Sequence, residues 1–165
     1  MRKQASQKAA TTYMDLLKED HKKVKANFKK FEKTENKREK QRLVTETLME
    51  LYIHAKVEEQ VVYPALREVV EMDLMDEADQ EHHIAKVLMA ELADMTPDDD
   101  QYDAKFTVLG EIIDHHVEEE EGEILPKARK TAVAEITAQV LEQKEILKSR
   151  YAEELLKEDA LSMTR

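Results

Sequence analysis

No cysteine occurs in the 165 residues. Disulfides and thiolate metal ligands are therefore both excluded, and any metal held by this chain must take nitrogen and oxygen donors. Glycine and proline are nearly as scarce, with two and three copies. That scarcity, with abundant Ala, Leu, Glu and Lys, favours long helices over a sheet. No apolar run approaches the roughly 20 residues that a membrane-spanning helix needs, and the N-terminal segment lacks the apolar core of a signal peptide. No membrane partner is expected, and a cytoplasmic location fits. Positive charge is in deficit, 26 Lys and Arg against 37 Asp and Glu, for a formal charge of −11. Phosphate backbones are bound by clustered cations. The short basic runs Lys22–Lys23 and Lys37–Lys40, interleaved with Glu, read as solvated helix faces, so no nucleic-acid partner is expected.

What is present is amphipathic helix. Charged residues make up 38% of the chain and hydrophobic ones 41%, a balance that suits helices with one buried stripe and one charged face. A first helix is expected from about Thr11 to Lys33, with Met14, Leu17, His21, Val24, Phe28 and Phe31 on its stripe and Thr11 or Thr12 as cap. A second starts near Arg38 and carries Val44, Leu48, Leu51, His54, Ala55, Glu58 and Val62 until Pro64 kinks or ends it. A third spans about Met72 to Asp94 through Ala78, His82, Ala85 and Met89. After the loop Thr96 to Asp100, a fourth carries Phe106, Leu109, Ile113, His116 and Glu120, with Gly122 and Pro126 interrupting its end. A sparser fifth stretch, about Lys127 to Asp159, carries no His. The expected organisation is a disordered segment 1–10, a bundle over 11–130 and a helical extension over 131–165. The fold class is all-α, an up-down-up-down four-helix bundle with an additional C-terminal helix.

Only six histidines occur, and two of them open the same phrase. His54 is followed by Glu58, Glu59 and Pro64, and His116 by Glu120, Glu121 and Pro126, at identical spacing. Residues four apart share a helix face, so each phrase aims an imidazole and a carboxylate at one point. Antiparallel neighbours lie level when the turn falls midway between them. The midpoint of His21 and His54 falls at Lys37–Arg38, that of His54 and His82 at Glu68, and that of His82 and His116 at Asp99. All three lie in or near plausible turns, which puts the four histidines in one layer. A lone His on an apolar stripe is more often a satisfied core residue, and one His-to-Glu pair is close to noise in so acidic a chain. Four His and two Glu buried together are costly without a cation to offset them. That is too many donors for one structural zinc, which takes four, and it suits two metals bridged by Glu58 and Glu120.

With these residues in order, the chain resembles the hemerythrin-like (HHE cation-binding) family over about Met14 to Arg129. The motifs that carry the resemblance are Asp20 with His21, His54 with Glu58 and Glu59, Glu81 with His82 and His83, and His116 with Glu120 and Glu121. The resemblance implies a four-helix bundle around two Fe ions with an oxo or hydroxo bridge, with Zn or Mn as alternatives in protein as isolated. It also implies His21, His54, His82 and His116 as terminal ligands and Glu58 and Glu120 as bridges. His82 is preferred to His83, and His116 to His115, from the stripes they occupy. Glu59 and Glu121 read as outer partners or surface residues. Oxygen-carrying members have a fifth His one turn after the third-helix ligand, where this chain has Lys86. A water, a shifted His83, Tyr13 or Tyr63 can fill the place left. The function then expected is handling or sensing of O2, peroxide or nitric oxide rather than ordinary oxygen carriage. Enzymatic turnover at the site, iron storage or sensing, and an interaction module with a structural metal are the alternatives. The C-terminal helix is a candidate homo-oligomer contact.

Overall fold

Thr12 opens the first helix, α1 (Tyr13–Glu32), with a reciprocal cap: its side chain accepts from the Asp15 N–H, and the Asp15 carboxylate accepts from the Thr12 N–H. Asn36 caps α2 (Lys37–Val57) by accepting from the Glu39 N–H. The remaining long helices are α4 (Met72–Ala93), α5 (Tyr102–Glu119) and α6 (Val133–Ser162), with a four-residue piece, α3 (Tyr63–Leu66), after α2. This computed structural model describes the backbone of residues 10–162 and the side chains of residues 10–153. The segment expected to be disordered lies outside the described residues, apart from Ala10. Among the described residues there is no strand, and no helix is long and apolar enough to cross a membrane.

Contacts of α1 with α2 and α5, and of α4 with α2 and α5, close a four-helix ring. The protein is all-α, as the composition and periodicity predict. Turns fall at residues 33–36 and 94–101, close to the midpoints that level the histidines. Two apolar clusters fill the ring. One contains Tyr13, Leu17, Val57, Val62, Leu66, Met75 and Ala78. The other contains Val24, Phe31, Leu43, Leu51, Ala85, Leu92, Phe106 and Leu109. Between them lies a polar layer: His21, His54, Glu58, His82, His116 and Glu120, every one buried. At Gly110 a Cβ would come within 2.9 Å of Phe28, so the glycine lets α5 approach α1 beside that ring.

The prolines act earlier in the chain than the sequence suggests. Regular α-helix stops at Val57 and at Glu119, and each helix continues as a widened π turn, Glu58–Val62 and Glu120–Ile124. In these turns the Tyr63 N–H donates to the Glu58 carbonyl, and the Leu125 N–H to the Glu120 carbonyl. A proline ring clashes with the carbonyl four residues before it and brings no N–H. One extra residue in the preceding turn accommodates Pro64 and Pro126 without ending the chain's helical course.

The expected fifth helix divides in two. A tight 3-10 stretch, Leu125–Lys130, precedes an extended Thr131, and α6 begins at Val133. Ile136, Val140 and Leu147 of α6 are buried in the first cluster, and the Tyr13 N–H donates to Thr137 Oγ1 at 2.9 Å. Each such apolar side chain contributes about 1.5–3 kcal/mol, against a total stability of roughly 5–15 kcal/mol. Truncation after Lys130 is therefore expected to lower the denaturation midpoint sharply or to prevent folding, measured by circular dichroism in urea. A midpoint unchanged by the truncation would show that the α6 contacts contribute little.

Candidate metal centre

Each long helix of the ring contributes one histidine to the layer, and in every case the Nε2 atom points inward. His21 Nε2 lies 3.2 Å from His54 Nε2, and His82 Nε2 lies 3.2 Å from His116 Nε2. The two buried carboxylates run between these pairs. Glu58 places Oε1 2.9 Å from His54 Nε2 and Oε2 3.0 Å from His82 Nε2. Glu120 places Oε1 3.3 Å from His21 Nε2 and Oε2 3.3 Å from His116 Nε2. The donors thus gather into two sets that share Glu58: His21, His54, Glu58 and Glu120 in one, and Glu58, His82 and His116 in the other. His83 and His115 are exposed and outside the layer.

The outer ring nitrogens are equally well placed. Three carboxylates lie within hydrogen-bond distance of Nδ1 atoms, Glu121 for His21 at 2.9 Å, Asp20 for His54 at 3.0 Å and Glu59 for His82 at 3.1 Å, while Glu81 stands 3.6 Å from His116 Nδ1. Such partners hold the Nδ1 proton and leave the Nε2 lone pair facing inward. Asp20 is itself gripped by Lys144 of α6 at 2.7 and 2.8 Å, and Glu59 pairs with Lys86. Lys144 was not foreseen from the sequence, because a single Lys on a charged helix carries no signal of its own. The partner roles of Glu81 and Asp20 were hinted at only by their place beside His82 and His21.

The two phrases related by sequence are also related in space. Glu58 and Glu120 both begin π turns, and Glu59 and Glu121 both reach across to a histidine on a neighbouring helix. The symmetry breaks at the buried pair Tyr63 and Leu125. Leu125 is buried in the apolar cluster. The Tyr63 hydroxyl donates to Glu120 Oε2 at 2.8 Å and lies 3.2 Å from His82 Nε2 and 3.3 Å from His116 Nε2. Tyr13, the other tyrosine considered, bonds to the Ala128 carbonyl and Thr131 Oγ1, away from the layer.

Lone pairs therefore converge on lone pairs. Both oxygens of Glu58 and Oε1 of Glu120 are buried without a hydrogen-bond donor, although imidazole nitrogens sit beside them. Acceptors about 3 Å apart require cations between them, either protons or metal ions. The protonic answer follows from the electrostatics of the layer. Burial pushes the His54 pKa down, but Glu58, Asp20 and Glu120 outweigh it and raise it to about 10. His82 and His116 also rise against their burial, through Glu58 and Glu59 and through Glu120 and Glu81. Burial and the neighbouring carboxylates push the Tyr63 phenol well above its ordinary value. The metallic answer fits the geometry: bonds of about 2.0–2.2 Å from one ion to N and O donors give donor–donor edges of about 3.0–3.4 Å, close to the 2.9–3.3 Å found here.

A cavity of about 30 Å³ adjoins this layer, walled by the four histidines and by Val24, Leu51, Ala85, Met89, Ile112 and Ile113 among others. It exceeds the roughly 10–15 Å³ that one water needs.

Comparison with known proteins gives three findings. A family model described as the hemerythrin HHE cation binding domain matches residues 12–128. A solved structure of a hemerythrin HHE cation binding domain-containing protein from Mycobacterium kansasii superposes with a TM-score of 0.75 at 21% identity, covering 88% of this chain and 93% of that one. A protein named DNA nickase from Nostoc sp. (strain PCC 7120) is 24% identical over 152 residues, which cover 92% of this chain and only 43% of the relative.

Proposed function

We propose that this chain, which belongs to the hemerythrin HHE cation-binding family, holds two iron ions in its polar layer and uses them to bind or sense a small oxidant or gas. The observation that carries the reading is the pair of donor sets sharing Glu58. His21 and His54 would hold one ion, His82 and His116 the other, with Glu58 and Glu120 spanning both. Nitrogen and oxygen donors without sulfur suit iron, and equally admit zinc or manganese in protein as isolated. Bound iron would supply one-electron chemistry toward dioxygen, peroxide or nitric oxide.

The chain's own residues define what such a centre does. Asp20, Glu59 and Glu121 hold the rings of His54, His82 and His21 by their outer nitrogens, and Glu81 stands beside that of His116. Tyr63 makes the two positions unequal, since its hydroxyl stands only beside the His82 and His116 set. It also carries a proton next to Glu120, within reach of a ligand in the layer. The cavity is small, and its wall sets the four histidines against Val24, Leu51, Ala85, Met89, Ile112 and Ile113, which limits the ligand to a few atoms. Nicking of DNA, the activity in the name of the Nostoc relative, has no comparable support. The chain covers less than half of that protein, and its charge of −11 is the wrong sign for gripping a phosphate backbone.

Iron loading under nitrogen followed by air tests the reading. Two irons per chain and near-ultraviolet charge-transfer absorption are expected, both lost in the double variant His54→Ala, His116→Ala. Retention of one metal or none by the unaltered chain would refute a two-iron centre.

A further inference from the structure

A groove of about 400 Å³ lies between α2 and α4, with Leu48, Tyr52, Ala90 and Ala93 along it and Tyr151 of α6 at its rim. Its inner wall is Ala55, Lys86 and Met89. The same three residues form part of the wall of the small cavity beside the histidines. A single layer of side chains therefore divides outside from inside. It is also a thin one: Ala55 offers a methyl group, and Met89 is an unbranched thioether that changes rotamer easily. The third member, Lys86, is held aside by its ion pair with Glu59. Lys56 stands further out in the same groove, its ammonium 5.9 Å from the Tyr52 ring centre. Two cations thus mark this mouth in a strongly acidic protein.

The cavity also adjoins a second surface face, through Glu81 and Ile112. That face is lined by Glu77, Glu111, His115 and Glu119 and is negatively charged. The two faces differ in sign and in polarity, so they differ in what they admit.

We infer that Ala55, Met89 and Lys86 form the gate through which small neutral or anionic molecules reach the polar layer, and that the two lysines select against cations there. Met89 is the moving part. Lys86 is positioned at the threshold by its ion pair with Glu59. The inference rests on the metal reading above, and it adds the route and the charge class of the ligand.

A gate lies on the path and not in the bound state. Blocking it must slow arrival and departure equally and leave the equilibrium alone. The absence of cysteine allows a clean test. Ala90→Cys supplies a single exposed thiol in the groove, and a bulky methanethiosulfonate reagent then fills the groove reversibly. Azide binding to the iron-loaded protein is followed by stopped-flow absorption. Labelling is expected to slow association and dissociation alike by about tenfold or more, with Kd unchanged and with recovery when a phosphine removes the adduct. Lys56→Glu is expected to slow azide association and leave that of uncharged nitric oxide unaltered. The gate is overturned if labelled Ala90→Cys binds azide at the unlabelled rate, if Kd changes while association does not, or if the same label on Glu111→Cys slows binding instead. The metal reading fails separately, by absent iron or absent charge-transfer absorption before any label is added, and the gate then falls with it.

Discussion

Removing the metal is expected to invert the pH dependence of stability. In metal-free protein the buried carboxylates are balanced by protons on histidine. His54 titrates near pH 10 in the folded chain, and His82 and His116 are raised in the same direction. The unfolded value is about 6.5. A folded pKa above the unfolded one contributes stability that is complete below pH 6.5 and lost as pH climbs toward the folded value. The carboxylates act at the other end. Burial opposes ionisation of Glu58 and Glu120, but the surrounding histidines lower both, and hydrogen bonding to His82 brings Glu59 to about 2. Their share is present above the unfolded carboxylate range and lost as pH falls below it. Metal-free protein should therefore be most stable at about pH 5–6.5 and weaken toward pH 9. In loaded protein the metal displaces the imidazole protons, so acid competes with metal and stability rises with pH across the same window. At metal a thousandfold above Kd the gain is about 4 kcal/mol, or a Tm difference of roughly 10 °C at pH 8. Thermal melts of chelator-treated and iron-loaded protein at pH 5.5, 7 and 8.5 would show the crossing slopes. Parallel slopes would mean that protons alone neutralise the layer.

The layer was legible in the sequence because its histidines obey two independent rules. His21, His54, His82 and His116 lie on apolar stripes of period near 3.6, and the turns fall near their midpoints. Periodicity fixes the face and turn position fixes the level, which together determine a place in a bundle. Periodicity does not put Tyr63 in the layer; the sequence names it only through the departure at Lys86, as one of several groups able to fill the place left, and hydrogen-bond distances of 2.8–3.3 Å put its hydroxyl there. It lies five residues after Glu58, and in a regular α-helix that step points well away from the Glu58 face. The π turn adds a residue to the turn, so the fifth residue takes the direction that the fourth would otherwise have. Neither propensity nor hydrophobic pattern announces such a turn. The matched prolines ten residues after His54 and His116 are its trace, and a proline by itself signals only a kink or an end to the helix. Lys144 escaped for another reason: its partner Asp20 is 124 residues away, and α6 otherwise reads as a sparse stripe.

Glu58→Met is expected to abolish binding of both metals while leaving a folded protein. Glu58 belongs to both donor sets, and its two oxygens face different histidines, His54 and His82. In the proposed two-iron centre its loss would remove a donor from each ion at once and half of the carboxylate charge facing them, so iron content is expected to fall from two per chain to well below one. Stability should move the other way. Glu58 is fully buried, with neither oxygen given a hydrogen-bond donor. Replacing a buried charge by an apolar side chain of similar volume is often neutral or stabilising by about 1–4 kcal/mol, provided no partner charge is stranded. The partners here are histidines, which shed their protons at modest cost once the carboxylate is gone. At pH 10, where His54 is losing the proton that pairs with Glu58, metal-free Glu58→Met should therefore be at least as stable as the metal-free parent in urea, although it binds no iron. A variant that unfolds at pH 10, where the parent stays folded, would show that Glu58 serves the bundle itself. A variant that is stable and empty would show that evolution kept a carboxylate in the core at the expense of stability, for the sake of the metals.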